Sequence, residues 1–260
     1  MMETLRLLCV AAHPDDESMG FGSALVKCAS EGVETFLVMA TRGERGWNIP
    51  GQEYPGQETV AQIRQAELEQ AVRILGVKQL FFLNYIDGEV EHTLPSNAIA
   101  QIATYIRQIR PQVVITFGPD GVYGHPDHIA VSQFTSSAVM CAGSAQYQDP
   151  GNQPPHLVSK FYYITHEQNL YRAFTVIFDD IRFPVRGVDR TFVTWPDWVS
   201  TTRIDCGENW RKVLAAVSCH HSQMAGVGKF QSCSDEQHRS VWSWRTYYRV
   251  FSLVNGGAEI

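Results

Sequence analysis

The sequence contains no run rich in lysine or arginine, no long uninterrupted apolar segment and no Cys-x-x-Cys pair. A chain of formal net charge -6 without a basic run has no surface suited to a phosphate backbone, so we expect no nucleic-acid partner. No segment reaches the roughly 18 apolar residues of a membrane span, and the apolar stretch near the first residue is too short for a secretion signal. We therefore expect a cytoplasmic protein with no membrane span.

Cysteine occurs at only six scattered positions, which indicates neither a zinc finger nor a disulfide framework. The 260 residues, 44% hydrophobic and 18% charged, suit a globular chain with a sizeable core. The sequence shows no repeat, no low-complexity tract and no linker. We predict a single domain over residues 1–260.

Short apolar runs alternate with longer segments of helical periodicity through the first half of the chain. The predicted elements, in chain order, are strand 5–12, helix 21–32, strand 34–41, helix 58–75, strand 80–83, helix 98–109 and strand 113–117. Gly76 is the expected cap at the end of the second helix. The βαβαβαβ order predicts an α/β fold with a Rossmann-like, three-layer, open and mostly parallel sheet.

Beyond residue 145 the pattern loosens, and we expect this C-terminal third to elaborate the sheet. A strand is predicted at Lys160–Thr165 and a helix at Trp210–Cys219, with a mixed segment between them. Aromatic residues crowd the end of the chain. They suit a buried core, or a contact between the subunits of a homo-oligomer, better than stacking on sugar rings.

A first cluster of titratable residues follows the first strand, in the segment Ala-Ala-His-Pro-Asp-Asp-Glu. It places His13, Asp15 and Asp16 at the carboxyl edge of the sheet, where open α/β folds bind their ligands. Pro14 makes the turn rigid and biases His13 toward an extended backbone. Taken alone, these carboxylates are also suitable caps for the helix that follows.

A second cluster, Tyr-Gly-His-Pro-Asp-His, comes shortly after strand 113–117 and therefore emerges at the same edge. Two histidines and a carboxylate with one position left for water are the ligands of a catalytic zinc site, whereas closed structural sites usually contain cysteines. So many ionisable groups in one place are costly unless a cation compensates them. The pair of clusters therefore favours a metal site over two helix caps.

His-Pro-Asp-Asp-Glu after the first strand, followed much later by Tyr-Gly-His-Pro-Asp-His, resembles the PIG-L/LmbE superfamily of zinc-dependent N-deacetylases. The resemblance covers the first half of the chain and weakens afterwards. It implies that one Zn²⁺ per chain is held by His13, Asp16 and His128.

The resemblance also implies the remaining catalytic roles. Asp15 is expected to be the general base, and His125 the residue that stabilises charge or donates a proton. Tyr123 is expected to polarise the amide carbonyl, and Asp127 to orient His125 and favour its imidazolium form.

Three further residues resemble substrate contacts of the family: Arg42 in a Gly-rich loop, Arg64 in the second helix and Asp87 after the third strand. Arg64 could instead form a surface pair with Glu67, three residues along the helix. Asp87 could instead form a turn with the glycine that follows it. His220 is expected either to approach the site or to be a polar residue at a helix end.

The expected activity is removal of an N-acetyl group from an N-acetylglucosamine-containing small molecule or glycoconjugate, so the expected partner is a small sugar substrate. The alternative is a metal-dependent amidase acting on a thiol conjugate or an antibiotic glycoside. A nucleotide-binding Rossmann domain is disfavoured because G-x-G-x-x-G is missing after the first strand and an acidic turn repels pyrophosphate. A binding protein without activity is disfavoured because Asp15 accompanies all three ligands.

Overall fold

The computed structural model describes residues 4–179, 181–225 and 229–254. The strands in those ranges are β1 (Arg6–Ala11), β2 (Glu34–Met39), β3 (Val77–Phe82), β4 (Val113–Thr116), β5 (Lys160–Thr165), β6 (Phe183–Val185), β7 (Val188–Arg190), β8 (Thr202–Asp205) and β9 (Trp244–Ser252). The α-helices are α1 (Asp16–Met19), α2 (Gly22–Ser30), α3 (Gln57–Leu75), α4 (Pro95–Ile109), α5 (Gly121–Gly124), α6 (Pro126–Gly143), α7 (Gln168–Phe178), α8 (Trp210–Cys219), α9 (His221–Met224) and α10 (Asp235–Trp242).

Seven strands form one sheet in the order β3-β2-β1-β4-β5-β9-β8, and β6 pairs with β7 in a separate hairpin. The first five strands of that order are parallel, whereas β9 runs antiparallel to both of its neighbours. The chain moves outward from β1 to β3 and then returns to the other side of β1 with β4. This reversal between β1 and β4 is the switch point at which open α/β sheets bind ligands.

The central strands are apolar on both faces because helices cover both sides of the sheet. In β1, Leu8, Cys9, Val10 and Ala11 have no exposed surface. Such continuous apolar runs are typical of parallel strands buried on two sides. Full burial of a leucine or valine side chain stabilises the fold by about 1.5–3 kcal/mol, so β1 is a rigid base for the loop that follows it.

The predicted fold class is confirmed, and so is the strand and helix order of the first half. Gly76 ends α3 in the left-handed region at φ 77°, and a Cβ there would lie 2.8 Å from the Cβ of Ala29. Glycine is therefore required both for the backbone turn and for the close approach of α2. The predicted strand Lys160–Thr165 and helix Trp210–Cys219 are also confirmed.

Elements that the sequence did not predict lie mainly in the C-terminal third. The mixed segment begins with α7, and the aromatic end of the chain forms α10 and β9. In the part of the chain that the structure describes, no helix combines the length and apolarity needed to cross a bilayer.

Candidate metal centre and active site

The switch point brings the two titratable clusters together. β1 leads into the loop that carries His13, and β4 leads toward α6, whose first turn carries His128. The two imidazole rings lie 5.2 Å apart between centroids, with His13 Nδ1 3.2 Å from His128 Nε2. Two loops separated by 115 residues therefore meet at one point, as the sequence predicts.

Three donor groups surround this point at nearly equal spacing. Besides the nitrogen pair, Asp16 Oδ2 lies 3.7 Å from His13 Nδ1, and Asp16 Oδ1 lies 3.4 Å from His128 Nε2. Zinc–ligand bonds of about 2.0–2.1 Å at tetrahedral angles place ligand atoms about 3.3 Å apart. The two imidazole nitrogens and the Asp16 carboxylate, which are the donors predicted from the sequence, thus lie close enough together to bind one metal ion, and they are donor types that zinc accepts.

The backbone holds Asp16 in place. Its Oδ2 accepts hydrogen bonds from the N–H groups of His13, at 2.7 Å, and Ala12, at 3.2 Å. Burial raises the pKa of Asp16 to about 7, with a further rise from Asp15 and an opposing effect of His13. Burial, together with the nearby Asp15 carboxylate, therefore makes a negative charge on Asp16 costly.

The second nitrogen of His13 is held by two carboxylates. Nε2 lies 3.1 Å from Asp127 Oδ2 and 3.2 Å from Asp87 Oδ1. Burial alone would lower the pKa of His13, but Asp87, Asp127 and Asp16 outweigh it and raise the pKa well above its ordinary value. A carboxylate that binds one imidazole nitrogen fixes the ring so that the other nitrogen faces the metal. His13 Nδ1 is thereby directed toward the donor set.

The position of Asp127 corrects its predicted role. Its carboxylate accepts hydrogen bonds from the backbone N–H groups of Gly88, at 2.7 Å, and Val90, at 3.1 Å, in addition to contacting His13. His125 receives only the backbone N–H of Asp127, which donates to Nδ1 over 3.2 Å at the start of α6. The Asp127 carboxylate therefore orients His13 rather than His125, because the Nδ1 of His125 is occupied as a helix cap.

The imidazolium form expected for His125 is also disfavoured. Burial lowers its pKa to about 4, with a further lowering by His13, and the opposing effects of Asp127 and Asp87 are smaller. His125 remains close to the donor set, since its ring centroid lies 4.9 Å from that of His128. Ring nitrogens of His13, His125 and His128 all lie within 4.8 Å of one another, so His125 is a further candidate donor.

Asp15 has an unusual backbone conformation. Its φ of 122° and ψ of -30° lie in a region that residues with a side chain rarely adopt. The Asp15 N–H donates to Glu17 Oε2 over 3.0 Å, and Asp15 Oδ2 accepts from Arg64 Nη2 at 3.2 Å. Burial raises the pKa of the Asp15 carboxyl, and Arg64 opposes that rise.

Arg64 is buried, with 3% of its surface exposed, and holds the loops around Asp15. Its guanidinium donates to the backbone oxygens of Gly43, over 2.8 Å, and Pro14. Glu67 is also buried and accepts from the N–H and hydroxyl of Ser222, at 2.8 and 2.7 Å. The alternative of a surface Arg64–Glu67 pair is therefore wrong.

A buried pair beneath the Asp15 loop involves the late segment of the chain. His220 Nε2 lies 2.7 Å from Glu17 Oε1, and both residues have no exposed surface. Burial alone would lower the pKa of His220, but Glu17 outweighs it and raises the pKa. His220 thus supports the carboxylate that binds the Asp15 N–H, a role that no local sequence pattern indicates across 203 residues.

Tyr123 lies against both histidines of the second cluster. Its ring centroid is 5.7 Å from that of His125 and 5.3 Å from that of His128, and it stacks on Phe183 at 4.0 Å. The preceding residue, Val122, has φ 71° and ψ -55°, a strained conformation for a β-branched side chain. This bend turns Tyr123 toward the histidines.

The predicted substrate contacts divide into two groups. Asp87 and Arg64 lie beside the donor set and contact His13 and Asp15. Arg42 lies farther out, where it donates to Gln65 and Asn84 at 2.7 Å each and lines a separate cavity of about 260 Å³. The structure thus joins the first group to the site and leaves Arg42 at its periphery.

A cavity of about 420 Å³ opens directly on the donor set. Asp15, Asp16, Tyr123 and His128 form one part of its wall. Asp15, Tyr123 and two of the three predicted metal ligands, Asp16 and His128, therefore line one common space that is large enough for a small ligand.

Comparison with known proteins agrees with the geometry. Residues 8–139 match the PIG-L family, described as GlcNAc-PI de-N-acetylase. The 1D-myo-inositol 2-acetamido-2-deoxy-alpha-D-glucopyranoside deacetylase 2 of Catenulispora acidiphila is 33% identical over 95% of this chain and 89% of its own length.

Solved structures with the same fold are more distant in sequence. N,N'-diacetylchitobiose deacetylase from Pyrococcus horikoshii has a TM-score of 0.70 at 20% identity, covering 95% of this chain and 84% of that one. The 4-carboxy-2-hydroxymuconate hydratase of Pseudomonas putida has a TM-score of 0.69 at 19% identity, covering 98% and 100%. Since one of these enzymes is a hydratase, the fold alone does not determine the reaction. The family match and the curated relative together show that this chain belongs to the PIG-L family of de-N-acetylases.

Proposed function

We propose that this protein is a zinc-dependent hydrolase that removes the N-acetyl group from an N-acetylglucosamine-containing small molecule or glycoconjugate. The observation that carries the proposal is the convergence of His13 Nδ1, His128 Nε2 and the Asp16 carboxylate at distances of 3.2–3.7 Å, with Asp15 lining the cavity beside them. Curated relatives named as deacetylases of a 2-acetamido-2-deoxy-glucopyranoside of inositol support the choice of an N-acetylated amino sugar.

His13, Asp16 and His128 would hold the zinc ion. When bound, zinc polarises the substrate carbonyl and lowers the pKa of a coordinated water. Asp127 and Asp87 keep His13 in the ligating orientation through its Nε2. The backbone N–H groups of residues 12 and 13 do the same for Asp16.

Asp15 serves as the general base. Arg64 holds Oδ2, which leaves Oδ1 to accept the proton of the attacking water. The hydrogen bond from the Asp15 N–H to Glu17, together with the Glu17–His220 pair, keeps the carboxylate in position. A base positioned in this way typically accelerates turnover by about two to four orders of magnitude.

Tyr123 and His125 act on the other side of the reacting amide. The Tyr123 hydroxyl donates a hydrogen bond to the carbonyl oxygen as negative charge develops there. His125 lies beside it and, as a neutral imidazole, relays to the nitrogen the proton that Asp15 took from water, because the nitrogen leaves poorly as an anion. Asp87, Arg64 and Arg42 remain the residues that we propose contact sugar hydroxyls. A cytoplasmic location and assembly into a homo-oligomer remain predictions from the sequence.

The test is metal analysis of the purified protein combined with an assay for amine release. Substrates would be N-acetylglucosamine linked to inositol, the corresponding disaccharide, a thiol conjugate and an antibiotic glycoside, each with and without a chelator. We expect one zinc per chain and chelator-sensitive release of free amine from an N-acetylglucosamine compound. Full activity after removal of all metal would contradict the proposal, and preferential cleavage of the thiol conjugate or antibiotic would favour the alternative amidase.

A further inference from the structure

The cavity on the donor set continues into an apolar chamber built by the C-terminal third. We define this chamber by the side chains of Ile164, Phe174, Phe178, Ile181, Phe183 and Phe192. Phenylalanine rings line it without interruption, with centroid distances of 5.4 Å for Phe174 to Phe192 and 5.3 Å for Phe183 to Phe192. Five of the six residues lie more than 30 positions beyond the segment that the family model matches, so the C-terminal third builds the chamber.

The chamber is connected to the reacting centre through Tyr123. The ring of Phe183 stacks on that of Tyr123 at 4.0 Å, and Asp15, Asp16 and His128 line the same cavity. A substrate whose carbonyl lies at the donor set therefore has one of its two substituents next to the phenylalanine rings.

The buried wall of the cavity is mostly apolar, with His166 as a buried polar residue that stacks on Phe192 at 4.8 Å between ring centroids. Ile164, Phe174 and Ile181 are buried, whereas Asn48 and Arg182, which line the same cavity, are exposed at its solvent side. A pyranose has hydroxyl groups around its ring, and burying them against phenyl rings without hydrogen-bond partners costs free energy. The sugar is therefore better placed at the polar part of the wall, beside Asp15, Asn48 and Gln223, than in the chamber.

We infer that the chamber binds the acyl group, and that the preferred substrate is an N-acylated amino sugar whose acyl chain is longer than acetyl. The inference rests on the proposed hydrolase function. Six apolar side chains line the chamber, more than the single methyl group of an acetyl can contact, so a longer alkyl chain would bury more apolar surface there. In the reaction the amide C–N bond breaks, water gives its hydroxyl to the acyl carbon and its proton to the nitrogen, and a fatty acid and a free amino sugar result.

The first experiment measures amine release from N-acetyl-, N-butanoyl-, N-hexanoyl- and N-octanoylglucosamine by the zinc-loaded wild-type protein. We expect kcat/KM to rise about fourfold for each methylene that enters the chamber and then to level off. A value that is highest for the acetyl compound and falls with each added methylene would overturn the inference while leaving the hydrolase function intact.

The second experiment uses a variant that fills the chamber, Ile181→Trp, with Val176→Trp as its matched control. Val176 lies on α7 with 47% of its surface exposed and does not line the cavity. We expect Ile181→Trp to reduce the ratio of hexanoyl to acetyl kcat/KM by at least tenfold and Val176→Trp to leave that ratio unchanged. Phe178→Asn, at a half-buried wall position, provides a second variant with the same expectation should Ile181→Trp not fold.

A binding measurement separates the inference from catalysis. Calorimetric titration of the zinc-loaded Asp15→Asn variant with the acetyl and octanoyl compounds reports affinity without turnover. We expect the octanoyl compound to bind at least tenfold more tightly and with a more negative heat-capacity change. Equal affinities would overturn the chamber assignment even if the protein is active, whereas tight octanoyl binding by this variant together with no amine release by the wild-type protein would count against the proposed reaction alone.

Discussion

The two ends of the sheet differ in what they contribute. The parallel half, from β1 to β4, supplies the proposed metal donors and the proposed general base from loops at one switch point. The C-terminal third adds an antiparallel edge, β9 and β8, and the phenylalanine-lined part of the cavity. The proposed reactive groups thus come from the segment that the family model matches, and the apolar wall of the cavity comes from the segment after it. The two regions meet at Tyr123, where a reactive ring stacks on an apolar one.

The largest expected effect comes from removing a metal donor in the parallel half. We expect His128→Ala to lose bound zinc and to reduce amine release to background, because His128 is one of the three proposed ligands and catalytic zinc sites use three protein ligands. Metal analysis and the amine-release assay measure both quantities. His92→Ala is the control, since the His92 side chain is 63% exposed and lies outside the donor set. Stoichiometric zinc in His128→Ala would mean that His128 is not a ligand.

Substitution of Asp15, the proposed general base, should lower kcat without lowering the zinc content. We expect Asp15→Asn to lower kcat by about two to four orders of magnitude at unchanged zinc content. The amide still accepts a hydrogen bond from Arg64, so the loop stays in place. Unchanged kcat in a zinc-loaded Asp15→Asn protein would show that another group accepts the proton.

A third substitution tests how far the C-terminal third supports the parallel half. His220→Ala leaves Glu17 buried without its partner, which we expect to lower the free energy of unfolding by about 3–5 kcal/mol. Denaturant unfolding of wild type, His220→Ala and the double variant Glu17→Gln/His220→Ala measures the effect. The double variant should recover part of the loss, because it no longer buries an unpaired charge. Wild-type stability of His220→Ala would show that the two regions are energetically separate.

The smallest expected effect concerns the group that orients His13. We expect Asp127→Asn to weaken zinc binding by about 10- to 100-fold, the usual cost of losing a carboxylate behind a ligating histidine. Competition with a chromophoric chelator measures the affinity. Asp120→Asn is a suitable comparison, because Asp120 caps a neighbouring turn without contacting the ligands. Equal affinities of the two variants would remove the orienting role of Asp127.

Much of the parallel half could be predicted because its signals are local. Buried apolar runs identify β1 and β2, and Gly76 identifies the end of α3. The convergence of His13 and His128 follows from strand order alone, since parallel strands leave their loops at one edge.

The remaining contacts depend on distant pairing that no local pattern contains. The sequence places Asp127 two residues from His125, yet its carboxylate contacts His13, 114 residues away. The sequence leaves two alternative roles for His220, and only the fold reveals that its Nε2 contacts Glu17 Oε1. In the C-terminal third, the sequence does not predict α7, because the mixed pattern of this region does not separate its apolar residues from those that follow.

At Asp15, where φ is 122°, the residue that would give the highest stability differs from the residue that the proposed activity needs. A non-glycine residue in such a conformation costs about 1–3 kcal/mol, which a glycine would largely avoid. Directed evolution for thermal stability alone would therefore favour Asp15→Gly, and the more stable variant would lack the proposed proton acceptor.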